Sequence, residues 1–237
     1  MKTVDFRYFA LAPGDLVLDL GCGEGRHVLA AYLEGEVTAV GVDINGVDLQ
    51  RARDKAADFI DANDPRRQHC LTQADACRLP FADHSFDKVI CSEVLEHIDH
   101  YEAVIGEISR VLKPNGVFCA SVPREWPERI CWQLSSAYHQ VEGGHLRIFN
   151  AAELRRQISD AGFHCFRRHW AHALHSPYWW LKCLLWGRDD HWALRSYHRL
   201  LVWDLMKRPA LTRWVEKGLN PVMGKSVVMY FRKGASH

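Results

Sequence analysis

The stretch of residues 16–26 constrains this chain more than any other. Residues 16–20 form a short apolar run with one acid, which is typical of a strand buried on both faces of a parallel sheet. Gly21, Gly23 and Gly25 follow at once, and a helical pattern begins behind them. Glycines at a strand-to-helix turn let the backbone approach a ligand, and a helix N-terminus offers it free N–H groups. The stretch predicts a loop that binds an anionic or strongly polar group, although a tight connection without a ligand would use the same residues.

The spacing of the glycines bears on which ligand the loop takes. Arg26 stands where the dinucleotide fingerprint Gly-x-Gly-x-x-Gly requires its third glycine. Asp19 lies two residues before Gly21, at the carboxyl end of the predicted strand. A fixed carboxylate there would repel a pyrophosphate and attract an ammonium or sulfonium cation. The pattern therefore disfavours a dinucleotide.

Strand and helix patterns alternate along most of the chain. Strands are predicted at residues 16–20, 37–43, 68–73, 86–91, 117–122, 163–170 and 226–232, and helices at 26–34, 46–60, 101–112, 128–138 and 151–161. Elements of these lengths in this order predict an α/β fold with a doubly wound, mostly parallel sheet.

Polar residues stand at the carboxyl ends of three further predicted strands. Asp43-Ile44 follows the second strand, Asp75-Ala76 the third and Ser92 the fourth. The carboxyl ends of the strands are where an open α/β sheet binds its ligands, and a carboxylate at Asp43 can accept hydrogen bonds from both hydroxyls of a ribose. Any one of these residues could be a solvated helix cap or loop acid. Together with the glycine loop they predict one binding site along one edge of the sheet.

The order and spacing of these residues resemble the class I S-adenosylmethionine-dependent methyltransferases, most closely the type 11-like branch that acts on small molecules and lipids. The resemblance covers about residues 15–162 and returns at 225–233. It rests on the glycine loop, on the run Phe-Asp-x-Val-x-Cys-Ser-Glu-Val-Leu-Glu-His-Ile at 86–98, and on Val-Leu-Lys-Pro-Asn-Gly at 111–116. It implies a seven-stranded Rossmann-like sheet whose last strand runs antiparallel between the fifth and sixth.

The resemblance also implies how S-adenosyl-L-methionine, and its product S-adenosyl-L-homocysteine, would be held. The glycine loop takes the amino-acid end, Asp43 the ribose and Asp75 the adenine amino group, while Ser92 lies beside the methionine part. The residues expected to bind the cofactor are Asp19, Gly21, Cys22, Gly23, Gly25, Asp43, Ile44, Asp75, Ala76 and Ser92. Two other classes stay open: an NAD-dependent oxidoreductase, which would share Asp43, and a binding module without catalysis.

Two histidines are the candidates for the catalytic side of the site. A base is needed only if the methyl acceptor must lose a proton, as a hydroxyl does. His97 follows the fourth strand, and His145 follows the glycine pair 143–144, in a segment that closes over the substrate in relatives. Each could instead only shape the wall of the pocket. Arg147 could hold an acidic group of the acceptor or pair with Glu142.

The chain has 14 histidines, but their spacing does not favour a metal site. His169, His172 and His175 recur every three residues. With this spacing the three side chains would not all point to the same face of a helix or of a strand. No cysteine or acid completes the group, so no metal is predicted.

The segment 172–224 is an insert before the last strand. Basic residues interleave with its aromatics, and Leu194, Tyr197, Leu201 and Leu205 predict at least one amphipathic helix. It could be a lid over an apolar acceptor pocket, a cover for the sheet edge, a homodimer contact or a peripheral membrane surface. Of nine tryptophans in the chain, seven lie in or next to this insert: Trp170, Trp179, Trp180, Trp186, Trp192, Trp203 and Trp214.

Composition narrows the partners and the compartment. A net charge of +1 gives no electrostatic footprint for nucleic acid. Eight cysteines without Cys-x-x-Cys spacing, and no signal peptide, favour a reduced cytoplasmic setting.

The expected acceptor is a small amphipathic or lipid-like molecule methylated at a hydroxyl oxygen, with a polar acceptor such as a sugar as the alternative. A single domain is expected over 1–237, with a cofactor-binding core at about 1–122 and acceptor-side elements at about 123–149 and 172–224.

Overall fold

One seven-stranded sheet organises the chain in the computed structural model, which describes residues 2–61, 63–141, 143–207 and 209–235. The strands lie in the order β3-β2-β1-β4-β5-β7-β6. β7 pairs antiparallel with both β5 and β6, whereas the other pairs are parallel. The predicted fold class and the position of the last strand are therefore confirmed. The strands are β1 (Leu16–Leu20), β2 (Thr38–Asp43), β3 (Gln68–Gln73), β4 (Phe86–Ser92), β5 (Leu112–Pro123), β6 (Phe163–Ala171) and β7 (Ser226–Lys233).

Helices cover both faces of the sheet, as strands buried on two sides require. On one face, Phe118 packs in a cluster with Ile108 and Ile158. On the other, Ile90 packs in a cluster that includes Phe9 from the segment before β1. The helices are α1 (Arg26–Glu34), α2 (Gly46–Ala56), α3 (Tyr101–Val111), α4 (Glu125–Leu134), α5 (Ser136–Gln140), α6 (Ala151–Asp160), α7 (His175–Leu184), α8 (Trp192–Lys207) and α9 (Ala210–Met223), and a 3₁₀ turn spans Leu95–His97.

Some predicted boundaries are wrong. The single helix predicted at 128–138 is two helices, because Ser135 between them has extended backbone angles (φ −152°, ψ 115°) that end the helical pattern. β5 begins at Leu112 and not at residue 117, so the Lys-Pro-Asn-Gly run at 113–116 lies inside it, with Asn115 in the left-handed region at φ 63°. The described part of the insert contains three helices, α7 to α9. α9 contacts β6 at the edge of the sheet, and α7 packs on α4 and α8.

The N-terminal segment is attached to the sheet by two buried neutral histidines. The Thr3 N–H donates to Nε2 of His27 (3.2 Å), and Thr3 Oγ1 lies 3.0 Å from Nε2 of His172. Burial, followed by nearby positive charges, lowers the pKa of His27 well below its ordinary 6.5. Burial also lowers the pKa of His172, and His175 adds to the effect. Protonation of either ring would place an uncompensated charge in the core.

We expect acid to weaken the fold through these two rings. Each histidine binds a proton in the unfolded chain below its ordinary pKa of 6.5 but not in the folded chain. The free energy of unfolding therefore keeps the full contribution of these rings above that pH. It falls as the pH drops, by up to about 1.4 kcal/mol per pH unit for each ring. Urea unfolding at about pH 8 and about pH 5.5 measures the loss. Between these two pH values, His27→Gln should lose less unfolding free energy than the wild type does. His164→Gln, a change at an exposed position, should lose as much as the wild type. Equal losses in all three proteins would contradict the assignment.

Candidate active site

The glycine loop is held against the end of β2. The N–H groups of Gly21 and Cys22 both donate to the Val42 carbonyl, at 2.8 and 2.9 Å. Gly21, Gly23 and Gly25 all have positive φ, at 69°, 50° and 81°, so each occupies a conformation that other residues adopt only at a cost. The loop is therefore a fixed element of the sheet edge.

Two of these glycines are required for different reasons. A Cβ atom at Gly21 would clash with the side chain of Val94, so this glycine allows the loop to pack on the turn after β4. A Cβ atom at Gly23 would meet no heavy atom within 4 Å. Gly23 therefore faces open space, where its missing side chain leaves room for a ligand.

Asp43 joins the loop to the end of β2. Its Oδ2 accepts a 2.7 Å hydrogen bond from the Gly23 N–H, and its Oδ1 accepts one of 2.9 Å from the Asn45 N–H. Each carboxylate oxygen has a second lone pair, so both can still accept from a ligand hydroxyl. The next residue, Ile44, has 70% of its surface exposed, which is unusual for so apolar a side chain. A carboxylate and an apolar surface thus lie side by side.

Asp19 is a buried residue just before the glycine loop, and it binds the helix that follows the loop. Only 2% of it is exposed, and its Oδ2 accepts a 2.9 Å hydrogen bond from the Val28 N–H in the first turn of α1. Burial raises the pKa of its carboxyl to about 7, against the lowering effect of the Val28 bond, and the Asp43 charge raises it further. The structure thus gives Asp19 a bond to α1, and its contact with a cofactor stays a prediction.

The other predicted cofactor residues occupy the neighbouring strand ends. Asp75 is exposed after β3, where its Oδ1 accepts a 2.8 Å bond from the Cys77 N–H, and Ala76 beside it is half-buried. The Ser92 hydroxyl at the end of β4 is buried, 2.8 Å from that of Ser121 on β5. Cys22 is also buried. All of them lie on elements that end at the same edge as the glycine loop.

The two candidate histidines lie together although 47 residues separate them in the sequence. Their ring centroids are 4.9 Å apart. His97 is the last residue of the 3₁₀ turn that begins directly after Val94, the residue packed on Gly21. His97 Nδ1 lies 3.2 Å from the Gly144 carbonyl oxygen, which ties the segment carrying His145 to this turn. The pair is therefore next to the glycine loop.

His145 is oriented by a buried carboxylate, that of Glu128, which no feature of the sequence singles out. Oε1 of Glu128 lies 2.5 Å from His145 Nδ1 and accepts a bond from Trp132 Nε1 at 3.2 Å, while Oε2 accepts one from the Tyr138 hydroxyl at 3.4 Å. Burial opposes ionisation of Glu128, but the bond and charge of His145 hold the pKa of that carboxyl below its ordinary value. Glu128 lies in an amphipathic helix, and no sequence motif marks it.

Glu96 is a second acid in this cluster. It is fully buried, and burial, followed by the charge of Glu93, raises the pKa of its carboxyl well above the ordinary value. Glu93 itself has a positive φ of 59° and accepts a 2.9 Å bond from the Ser121 hydroxyl. The sequence placed Glu96 inside a family motif without giving it a role.

Arg147 has partners other than the predicted one. It donates to the Leu95 carbonyl at 3.5 Å and to the Ile98 carbonyl, and it lies 3.8 Å from the Asp99 carboxylate. Glu142, its predicted alternative partner, lies outside the described residues. Arg147 thus ties the His145 segment to the turn after β4.

The tryptophans of the insert fall into two groups. Trp179 and Trp186 pack on Tyr138, with ring centroids 5.8 and 6.1 Å away, and Tyr138 in turn lies 5.8 Å from the His145 ring. Trp192 and Trp214 are 71% and 74% exposed. Only the first group forms a wall beside the candidate histidines.

The three histidines at 169, 172 and 175 do not form one cluster, although the ring centroids of His172 and His175 are 5.9 Å apart. His169 stacks on Tyr230 with ring centroids 5.6 Å apart, His172 bonds Thr3, and His175 is the first residue of α7. Among the described residues, the donors close enough to share a metal ion are those of Glu96, His97 and His145.

Comparison with known proteins agrees with this geometry. Residues 18–120 match the family described as a methyltransferase domain. This stretch contains β1 to β4, most of β5 and the cofactor residues predicted at the strand ends. Residues 18–120 are thus similar to a methyltransferase domain, of the class I type whose cofactor is S-adenosylmethionine.

Two relatives show how far the similarity extends. The chain is 36% identical over 108 residues to 27-O-demethylrifamycin SV methyltransferase of Amycolatopsis mediterranei, which covers 45% of this chain and 38% of that protein. It is 31% identical over 144 residues to sterol 24-C-methyltransferase of Eremothecium gossypii, covering 61% and 35%. The chain therefore spans less than half the length of both relatives.

A solved structure supports the fold over the whole chain. The [4+2]-cyclase SpnF superimposes with a TM-score of 0.64 at 20% identity, covering 98% of this chain and 78% of that one. An identity this low shows the fold alone. Within the described ranges, none of the helices has both the length and the apolar character needed to cross a bilayer.

A methyl group at Gly23 should block the ligand and leave the fold intact. Gly23→Ala and Gly14→Ala both place alanine at positive φ, at 50° and 83°, with open space around the new Cβ atom. Each should cost about 1–2 kcal/mol of stability. Only Gly23→Ala should weaken the binding of S-adenosylhomocysteine in calorimetry, by about tenfold or more. Equal affinities of the two variants would show that Gly23 does not face the ligand.

Proposed function

We propose that this chain transfers a methyl group from S-adenosylmethionine to a hydroxyl oxygen of a small, lipid-like acceptor. The observation that carries the proposal is the open space at Gly23, bordered by the Asp43 carboxylate and the exposed Ile44. When bound, the cofactor supplies an electrophilic methyl group, which bonds to the acceptor oxygen as its bond to sulfur breaks and the hydroxyl proton leaves to water.

The residues at the strand ends fit the parts of this cofactor. Asp43 would accept from the ribose hydroxyls with the lone pairs that its loop bonds leave free. Exposed Asp75 would accept from the adenine amino group, and Ile44 would cover an adenine face. The carboxylate of the amino-acid end suits the loop before α1, because a helix N-terminus favours an anion.

The acceptor side is supported by the histidine pair and the aromatic wall. His97 and His145 lie next to the turn that packs on the glycine loop, where an acceptor would have to meet the methyl group. Tyr138, Trp179 and Trp186 give this side an apolar surface. The relatives' names support a small, lipid-like acceptor, because one denotes a sterol methylated at carbon 24 and the other a rifamycin methylated at an oxygen. The choice of an oxygen agrees with the second name alone.

The insert offers room and a surface for such a molecule. Trp179 also lines a cavity of about 920 Å³ between residues 2–7 and helices α7, α8 and α9. On α9, Leu211 and Trp214 are exposed beside Lys217, a combination that suits the surface of a lipid phase from which an apolar acceptor would come.

Calorimetry with two ligands tests the proposed function. The wild type should bind S-adenosylhomocysteine and should not bind NADH. Asp43→Ala should lose affinity by about 1–3 kcal/mol, because two ribose hydrogen bonds disappear while the fold survives. Asp54→Ala, an exposed acid on α2, is the matched control and should bind as the wild type does. Binding of NADH alone would overturn the methyltransferase proposal, and unchanged affinity of Asp43→Ala would overturn the ribose assignment.

The two tryptophan groups predict different effects on the acceptor. A lid is one of the possibilities for the insert, and Trp179, Trp180, Trp186 and Trp192 are the residues that could line it. The first three lie near α4 and α5. Trp179→Ala and Trp186→Ala should raise KM for an apolar hydroxyl acceptor at constant cofactor affinity. Trp192→Ala, at an exposed position, should leave KM unchanged. KM is measured with radiolabelled cofactor and a panel of sterols and quinols. A loss of stability without a change in KM would show that these tryptophans support the fold and do not contact the acceptor.

A further inference from the structure

Glu96, His97 and His145 form a cluster with the composition of a metal site. One donor atom from each lies within 4.8 Å of the donors of the other two. Oε1 of Glu96 is 3.9 Å from Nε2 of His97. Two imidazoles and one carboxylate are ligands that Zn²⁺ and neighbouring transition-metal ions take in proteins.

The Glu96 carboxylate has no partner within the part of the chain that the structure describes. The residue is 0% exposed, and neither carboxyl oxygen receives a hydrogen bond from any described residue. Burying a carboxyl group without a partner is costly, and such groups in proteins are normally paired or coordinate a metal. The fold therefore holds an unsatisfied acid against two histidines.

The bonds of both rings leave the same nitrogen free. Nδ1 of His145 is held by Glu128 at 2.5 Å, and Nδ1 of His97 lies 3.2 Å from the Gly144 carbonyl oxygen. If each Nδ1 carries the proton, each Nε2 keeps its lone pair. Metal-bound histidines usually donate their other N–H to a carboxylate or a backbone carbonyl in this way.

The backbone fixes the cluster in place. The Leu146 N–H donates to the Glu96 carbonyl at 2.9 Å, and Arg147 binds the carbonyl of Leu95. The segment carrying His145 is thus fastened to the turn that carries the other two residues. A site built this rigidly does not need to be assembled by the ion.

We propose that Glu96, His97 and His145 bind one divalent transition-metal ion, Zn²⁺ or a close neighbour, which coordinates the acceptor hydroxyl. The proposal rests on the proposed function only for the identity of that fourth ligand. The side chain of His97 is 35% exposed, so the site is accessible from solvent. Three protein ligands leave the open position that catalytic metal sites keep.

Such an ion would give the two histidines a role other than that of general base. A hydroxyl bound to the metal loses its proton more readily, and the proton passes to solvent water while both electrons of the O–H bond stay on the oxygen. The metal-bound oxygen is then the nucleophile. Glu128 would act as a positioning residue for His145, and Tyr138 and Trp132 would in turn hold Glu128.

Metal titration of chelator-treated protein tests the site without the cofactor. The protein should bind one equivalent of Zn²⁺, and Co²⁺ should occupy the same site with a visible absorption spectrum. A Cys70→Ser/His164→Ala background removes an exposed thiol and an exposed imidazole and should bind as the wild type does. In that background His97→Ala and His145→Ala should each lower the affinity by about tenfold or more, and Glu128→Gln by about 10–100-fold, as for other groups that orient a ligand.

S-adenosylhomocysteine binding distinguishes a variant that has lost the metal site from one that has not folded. Each variant should bind S-adenosylhomocysteine as the background does, which shows that it is folded. The metal proposal is overturned if the wild type takes up no ion, or if His97→Ala/His145→Ala still binds one equivalent. Zn²⁺ binding in a protein that does not bind S-adenosylhomocysteine would overturn the proposed function and leave the metal site standing.

Discussion

The attachment of the glycine loop to the end of β2 is the constraint on which the rest of the site depends. The Val42 carbonyl accepts two N–H groups of the loop and the Asp43 carboxylate accepts a third. These bonds hold Gly21 against Val94, and that contact brings the turn with Glu96 and His97 to the loop. A shift of β2 relative to β1 would therefore move both the cofactor side and the acceptor side of the site.

Much of the fold and of the cofactor side could be predicted because each depends on local sequence. A buried parallel strand is an apolar run, and polar residues where such runs end must come together at one edge of the sheet. The strands at 16–20 and 68–73 follow from such short-range signals. The family model over residues 18–120 covers the same part of the chain.

On the acceptor side the sequence indicated His97 and His145 as candidates, but their arrangement could not be predicted because it depends on contacts between distant segments. His97 and His145 meet only because a 3₁₀ turn and a backbone-bonded loop place them together, and Glu128 reaches His145 from a helix. Regular spacing drew attention to His169, His172 and His175, whereas the cluster with metal-binding composition has no regular spacing. The tryptophans look uniform in sequence, but Trp179 and Trp186 pack on Tyr138, whereas Trp192 and Trp214 are largely exposed.

The packing of α4 on α7 has a consequence for how a chain of this kind could diverge. Cys131 on α4 and Cys183 on α7 are buried together with Tyr138, and the same α4 carries the carboxylate that orients His145. A new insert that accommodated a different molecule would remove the surface that supports α4, and the orientation of His145 would change with it. If the insert selects the acceptor and His145 helps to activate it, as proposed above, the two parts of the chain would have to evolve together.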